Sequence, residues 1–418
     1  MLREIEKLER SLRIYKGLVE VSALITAITD FRELLSAILD VSRRVMNAEA
    51  SSLFLVNEAG DLQLVIGRGK ETDIAVPRGK GIAGWVLEHR MGQLVKDAYQ
   101  DPRFYREADK KSGFRTRSIL CVPLIHNERE VGVVQVLNPL DREAFDETDL
   151  EAFEAYGNLA GTALERLRTL EQQAEQARVE RELSLAHDIQ NSFLPQSLPK
   201  PQGLRFAASY RSASNIGGDF YDVIEVSPDE IYFVIGDVSG KGIPAALLMA
   251  QSLSILRLII RPGISPADAL EHWNRRLCGT TIRGMFITTI VGRIAVTTRT
   301  IEYASAGHCP PMHVSAEGAV SDVVPTNGPP IGILESLKYA LCSTTMGPSE
   351  MFVCFTDGLV ESFDENERCM DRVKIHEIIS RNCENPKTVV RSLVEGERQH
   401  RGTADVHDDM TILAMGFK

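Results

Sequence analysis

Five aspartates could do chemistry together in this chain. Asp219 lies in the stretch Asn215–Val223, NIGGDFYDV, and Asp237 lies in Gly236–Gly242, GDVSGKG. Each stands just before or inside a tight Gly-rich turn. Asp237 follows the strand-like run Ile231–Ile235, Asp357 follows Met351–Phe355, and the pair Asp408-Asp409 precedes the run Met410–Ala414. Strand ends are places where a fold can aim several carboxylates at one point. A cluster of hard oxygen ligands selects Mg²⁺ or Mn²⁺ over zinc or copper. Carboxylates so crowded raise one another's pKa and cannot all ionise without cations. A pair of such cations lowers the pKa of bound water toward neutrality and neutralises phosphoryl oxygens. The expected chemistry is hydrolysis of a phosphate ester at a binuclear metal site. No protein nucleophile is offered, because the chain holds neither a Cys-x5-Arg signature nor a G-x-S-x-G elbow.

Positioning these acids takes a sizeable fold, and 418 residues allow two or three domains. The composition, 44% apolar and 25% charged, is that of a globular protein. The net charge of −11 disfavours nucleic acid as the main partner, since phosphate backbones need a basic patch. Seven scattered cysteines with no CxxC argue against a disulfide framework or a structural zinc site and for a reducing compartment. The N-terminus MLREIEKLER has charges where a signal peptide needs an apolar core, and the longest apolar stretch, 243–260, is broken by Gln251 and Arg257. The expectation is a cytoplasmic protein with no membrane span.

Apolar residues at Ile5, Leu8, Leu12, Tyr15 and Val19 follow 3-4 spacing. They form either a seam between two chains or one face of an amphipathic helix packed on its own domain. Beyond it the chain reads as a helix over 34–46, a hairpin of strands over 50–66, and a second hairpin over 118–137 turning at 127–130. The loop RGKGIAGW, 78–85, holds a formal GxGxxG, but Pro77 precedes it and only a short helix over 82–89 follows. A loop leading into that helix fits better than a dinucleotide site.

Residues 12 to 168 resemble a GAF domain. The likeness rests on GKGIAGWV, the Asp97 to Phe104 segment, and SILCVPLIHNEREVGVVQVLN followed by FDETDLE. The resemblance implies a small sensory α+β module with a six-stranded antiparallel sheet, often dimerised through flanking helices. Cyclic-nucleotide-binding members carry Asn-Lys and Phe-x-x-x-Asp-Glu. Here Asn138 is followed by Pro139, and Phe145 and Asp149 match while Leu150 replaces the Glu, so the GAF ligand stays unknown. Cys121 reads as a buried apolar residue.

A helical linker, rich in Glu, Gln, Ala, Leu and Arg, runs to Phe193 and is stopped by the prolines of FLPQSLPKPQ. Its seam Ala160, Ala163, Leu167, Leu170, Ala174, Ala177 shifts phase to Val179, Leu183, Ala186, Gln190, Phe193. Such a slip could transmit a register change along a coiled coil, or the segment is a plain spacer helix.

From about 203 onward the chain is similar to the metal-dependent protein phosphatases (protein phosphatase 2C-like), in their bacterial SpoIIE/RsbU branch. Five motifs carry this in order: GGDFYDV (217–223), GDVSGKGIPAAL (236–247), YASAGHCPP (303–311), FTDGLVES (355–362) and DDMTILAM (408–415). The resemblance implies an α-β-β-α sandwich. It also implies metal binding by Asp219, Asp237, Asp357 and Asp408 and by the backbone carbonyl of Val238, with two Mn²⁺ or Mg²⁺ ions per site. Asp409 stands where relatives often have Asn. Asp222 reads as a solvated strand residue and His308 as part of a structural turn beneath the site. Ser239 replaces the His, and Ser214 stands near the Arg, that eukaryotic relatives carry; Lys241 or a bound water is left as acid or clamp.

The expected division is an N-terminal helix (1–11), a GAF domain (12–168), a coiled-coil linker (169–202) and a phosphatase domain (203–418). The expected function is a GAF-regulated serine/threonine phosphatase acting on a phosphorylated STAS-type anti-sigma factor antagonist, as a homodimer through its N-terminal and linker helices. The rival readings are a catalytically silent signalling adaptor and a cyclic-nucleotide receptor acting through the GAF domain.

Overall fold

Strand alternation sets up two packed units, 1–178 and 179–418. The computed structural model describes residues 12, 15–17, 19–20, 22–23, 27–67, 74–104, 106, 109, 113–214, 216–278, 284–323 and 327–418. Ile5 and Leu8 of the N-terminal seam, and Asn215 of the first motif, lie outside the described residues.

In the first unit, helix α1 (Phe31–Val45) leads to strands β1 (Ala48–Val56), β2 (Leu62–Gly67) and β3 (Ile74–Val76), then α2 (Gly81–His89) and β4 (Gln93–Val95). A hairpin of β5 (Ile119–His126) and β6 (Arg129–Pro139) and the helix α3 (Glu147–Phe193) complete it. The sheet is antiparallel with order β3-β2-β1-β6-β5-β4. Period-two alternation gives it two cores. Leu120, Val122 and Leu124 of β5 pack under α1 and the first part of α3, with Leu34, Ile38, Phe153 and Tyr156. Ile119 and Cys121 face the other way, onto Val86 and Leu87 of α2. Asp30 caps α1 by accepting from Glu33 N at 2.9 Å. The β5–β6 turn is tighter than the four residues expected. Only Asn127 and Glu128 lie between the paired His126 and Arg129, at φ 45° and 64°. Two left-handed residues are what a two-residue hairpin with right-handed strand twist requires.

Of the loop expected over 78–85, residues from Gly81 on already belong to α2, and Gly79 N donates to Gly84 O at 3.0 Å. Two residues of the half-matching nucleotide motif make contacts within the fold. Asn138 is buried, and its amide oxygen accepts from Arg117 N at 2.7 Å and Ser118 N at 3.3 Å. Asp149, also buried, pairs with Arg142 at 2.7 Å.

The linker is one unbroken helix of 47 residues, because no proline interrupts 147–193. Its seams have two uses. Ala160, Ala163 and Leu167 are buried in the core of the first unit. Gln190 is buried and Phe193 packs on the core of the second. Leu170 and Val179 between them are exposed.

The second unit is built from β7 (Leu204–Arg211), β8 (Phe220–Ser227), β9 (Glu230–Val238), α4 (Ile243–Ile259), α5 (Pro266–Cys278), β10 (Ile287–Ala295) and β11 (Thr300–Ala306). Short strands follow: β12 (Met312–Val314), β13 (Val320–Asp322), β14 (Asn327–Gly328) and β15 (Cys342–Thr345). Runs of two to four residues carry too little periodicity to be read from the sequence. Then come β16 (Met351–Phe355), α6 (Asp357–Val360), α7 (Arg372–Ser380), α8 (Pro386–Arg401) and β17 (Met410–Phe417). One sheet has the path β14-β11-β10-β9-β8 with β15 on β11; the other runs β13-β12-β16-β17-β7. All pairings are antiparallel except the two-residue β11–β14 contact.

Alternation again assigns the layers. Ile231, Phe233 and Ile235 of β9 meet Phe352 and Cys354 of β16 between the sheets. Tyr232 and Val234 point outward beneath α4 and α5. Met351, Val353 and Phe355 point outward beneath α7 and α8. The result is the α-β-β-α sandwich, and both sheets bring strand ends to one edge. Among the described residues no helix is long and apolar enough to cross a membrane.

Candidate metal-binding active site

Asp219 immediately precedes β8, and Asp237 is the penultimate residue of β9. Phe220 pairs with Gly236, so the two aspartates fall side by side at the next step of the register. Phe220 is fixed in turn by Trp273 of α5, edge to face at 6.1 Å. The second sheet delivers Asp357 at the end of β16 and Asp408-Asp409 at the start of β17, strands paired through Phe355 and Ile412.

The two sheets are tied together at Asp219. Thr356 Oγ1 donates to Asp219 Oδ2 at 2.6 Å, and Thr411 Oγ1 donates to the same oxygen at 2.7 Å. Thr411 N donates to Thr356 Oγ1 at 2.9 Å, so both hydroxyls are held in place. One oxygen of a buried carboxylate is thereby engaged by two hydroxyl donors. Sequence reasoning missed both threonines. Their signal was present, a Thr within two residues of an acid at a strand end in FTDG and DDMT.

Asp409, unassigned from sequence, organises the loop that carries Asp219. Its carboxylate accepts from Gly218 N at 2.5 Å, Ala213 N at 2.8 Å, Ser212 Oγ at 3.1 Å and Asp219 N at 3.4 Å. Gln190 of α3 clasps the same loop, accepting from Gly217 N at 3.1 Å and donating to Gly217 O at 2.5 Å. The glycine of GGD is required by close approach. A Cβ on Gly218 would stand 2.8 Å from the carbonyl oxygen of Val238, the backbone group named as a ligand candidate.

Electrostatics follow from burial. Asp219 is buried, and its pKa is pushed well above the usual carboxylate range by desolvation and then by Asp237. Asp237 is raised to about 7 by desolvation and by the charges of Asp357, Asp408 and Asp409, with a hydrogen bond to Asp219 acting the other way. Asp357 is raised by burial, Glu361 and Asp408. The structure thus brings Asp219 and Asp237 into contact, with Asp357 and Asp408 close enough to act on Asp237. Among the described residues no three His, Cys, Asp or Glu side chains are arranged to grip an ion as they stand. The donor set nevertheless suits a hard divalent cation. All its atoms are oxygens, and the upward pKa shifts of Asp219, Asp237 and Asp357 reflect negative charge that a bound cation would relieve.

Three other expectations are resolved. Asp222 is not a solvated residue; it is buried and paired with Arg257 of α4 at 2.7 Å, and Arg257 also donates to Phe193 O at 2.7 Å. His308 is buried against Thr288 at 3.0 Å and its pKa is lowered to about 4 by desolvation, so it is a neutral packing residue. Ser239 continues the strand, with its N donating to Phe286 O at 2.9 Å and its Oγ accepting from Phe286 N at 2.8 Å.

Residues 30–164 match the GAF domain and residues 227–418 match Stage II sporulation protein E (SpoIIE). The chain is 24% identical over 340 residues to "Phosphoserine phosphatase RsbU" of Bacillus subtilis (strain 168), covering 80% of this chain and 98% of that protein. It is 33% identical over 130 residues to a cGMP-specific 3',5'-cyclic phosphodiesterase of Drosophila sechellia, covering 31% of this chain but 11% of that protein. The SiaA-PP2C domain of Pseudomonas aeruginosa superposes with a TM-score of 0.52 at 19% identity, covering 59% of this chain and 99% of that one. The chain therefore carries a GAF domain over residues 30–164 followed by a SpoIIE-type, protein phosphatase 2C-like domain over residues 227–418.

Proposed function

We propose that this chain hydrolyses phosphoserine or phosphothreonine on a STAS-type anti-sigma factor antagonist in a partner-switching pathway, under control of its GAF domain. The observation that carries the reading is the pairing of Asp219 with Asp237 at the edge where both sheets end, with Asp357 and Asp408 acting on Asp237. Asp219, Asp237, Asp357 and Asp408, with the carbonyl of Val238, would hold Mn²⁺ or Mg²⁺. When bound, such ions supply an activated water and neutralise phosphoryl charge. The chain's own part is positional. Thr356 and Thr411 fix one oxygen of Asp219, and Asp409 fixes the peptide groups around it.

Regulation has a route in the same reading. The helix 182–194 reaches the Asp219 loop through Gln190, and α4 starts directly after the Asp237 turn. Movement of either helix alters the spacing of the acids. The working division remains a GAF domain over 12–168, a linker over 169–202 and a catalytic domain over 203–418, in a cytoplasmic protein. The test is release of phosphate from a phosphorylated STAS protein with Mn²⁺, using the full chain and a chain lacking the first 165 residues. The expected result is metal-dependent hydrolysis whose rate differs between the two. Equal rates would remove GAF control, and no hydrolysis by either would remove the substrate.

A homodimer through the N-terminal and linker helices belongs to the proposal. Leu12, Tyr15, Val19, Leu170 and Val179 are large apolar side chains left exposed in one chain. Sedimentation of the full chain at micromolar concentration is expected to give a dimer. A monomer would count against this element.

A further inference from the structure

We propose that Lys241 is the side chain that grips the phosphoryl oxygens of the substrate. This rests on the assignment of the four acids to cation binding. A phosphomonoester dianion approaching a cluster of carboxylates needs a cationic side chain aimed at the same space. Lys241 occupies the turn between β9 and α4, flanked by Gly240 at φ 94° and Gly242 at φ 78°. Its ammonium lies 3.4 Å from Asp408 Oδ1 and donates to the His407 carbonyl at 2.5 Å. It therefore spans from the loop after Asp237 to the loop before β17, beside Asp408. The side chain is 64% exposed, so a substrate can reach it.

Other cations near the cluster are spent. Arg372 lies against the Phe355 ring, but its guanidinium bonds Asp322 at 2.5 Å and the Pro310 carbonyl at 2.9 Å. His308 is buried and neutral. Among the described residues, Lys241 is the one Lys or Arg ion-paired with any of Asp219, Asp237, Asp357 and Asp408. Its pairing with Asp408 is exposed and weak. With Asp408 engaged by a cation, the Lys241 ammonium would be released from that partner and would offer its three donors to a phosphoryl group.

The step it assists balances without it. Water adds to phosphorus, the bond from phosphorus to the serine oxygen breaks, and one hydrogen of the water ends on that oxygen. Lys241 keeps its protons throughout and donates hydrogen bonds to the non-bridging oxygens.

The test compares Lys241→Met and Lys241→Arg in the full chain, with a phosphoserine peptide as substrate, inorganic phosphate as inhibitor and Mn²⁺ binding read by calorimetry. Lys241→Met is expected to lower kcat/KM about 10- to 100-fold, the range for a lost charge-assisted hydrogen bond. Inhibition by inorganic phosphate should weaken by a similar factor. Mn²⁺ affinity should stay unchanged or tighten, because the ammonium no longer competes for Asp408. Lys241→Arg should recover most of the loss. Unchanged kcat/KM and phosphate inhibition in Lys241→Met would overturn the proposal. So would a loss that tracks weakened Mn²⁺ binding with phosphate inhibition intact, which would make Lys241 a positioning residue for Asp408. Wild-type protein that hydrolyses no phosphoserine substrate would instead remove the underlying reading, and it is measured before any variant.

Discussion

Asp237→Asn is expected to cut phosphoserine hydrolysis by about 10³-fold or more, while making the metal-free protein more stable at pH 8. Each tenfold loss in rate corresponds to about 1.4 kcal/mol. Removing one charge from a centre built to hold divalent cations costs several such steps. The stability arm has the opposite sign. Asp237 is raised to about 7 in the fold, from an ordinary value near 4. The folded state therefore binds its proton more tightly than the unfolded chain. That stabilisation is complete below about pH 4 and is lost as pH rises through about 7. Asp219, also raised, acts in the same direction. Metal-free wild type should lose thermal stability between pH 4 and 7, and Mn²⁺ or Mg²⁺ should restore it at pH 8. The Asn variant lacks one of the repelling charges, so its loss should be shallower and the rescue by metal small. Thermal unfolding across this range, with and without Mn²⁺, checks both. A variant that stays fully active, or a wild type with flat stability from pH 4 to 7, would defeat the cation-site reading.

Gly358→Ala should be the most damaging small change in the second unit. A Cβ at Gly358 would lie 1.8 Å from the carbonyl oxygen of Asp409 and 2.8 Å from its carbonyl carbon. Both are backbone atoms at the start of β17, so no side chain can swing away. One methyl group must prise α6 from β17, separating Asp357 from Asp408 and loosening the Thr356–Thr411 tie to Asp219. The expected cost is about 3 kcal/mol or more, with loss of activity in what remains folded. Gly203→Ala is the control. Gly203 has φ 84° and nothing within 4 Å of its Cβ position, so it carries conformational strain alone, about 1 kcal/mol. Denaturant midpoints for the two variants separate the steric effect from the backbone one. Similar midpoints would show that α6 and β17 tolerate the intrusion.

Local signals made much of this legible in advance. Asp219, Asp237, Asp357 and Asp408 each follow or precede an apolar run, and alternation within those runs told strand from helix. The α3 helix was legible because a long segment without proline has no reason to stop. Four short strands, β12 to β15, were not legible, because two to four residues carry too little periodicity. The two uses of the linker seam were not legible either. Spacing of 3 and 4 marks an apolar helix face, but it does not say whether that face meets another chain or its own domain. Asp222 read as solvated because its partner, Arg257, is 35 residues away on another element.

By itself the sequence determined the order of the longer elements and the residue types available for hard-cation chemistry, and its motifs carried the resemblance that implied the sandwich. These depend on periodicity and on neighbours along the chain. The tertiary structure alone decided which oxygen of Asp219 is spent on Thr356 and Thr411, that Asp409 holds a loop, and that Lys241 lies beside Asp408. Those relations join residues 137 to 196 positions apart. Only the closing of two sheets against each other creates them, because a hydrogen bond is read at about 3 Å and sequence spacing carries no such distance.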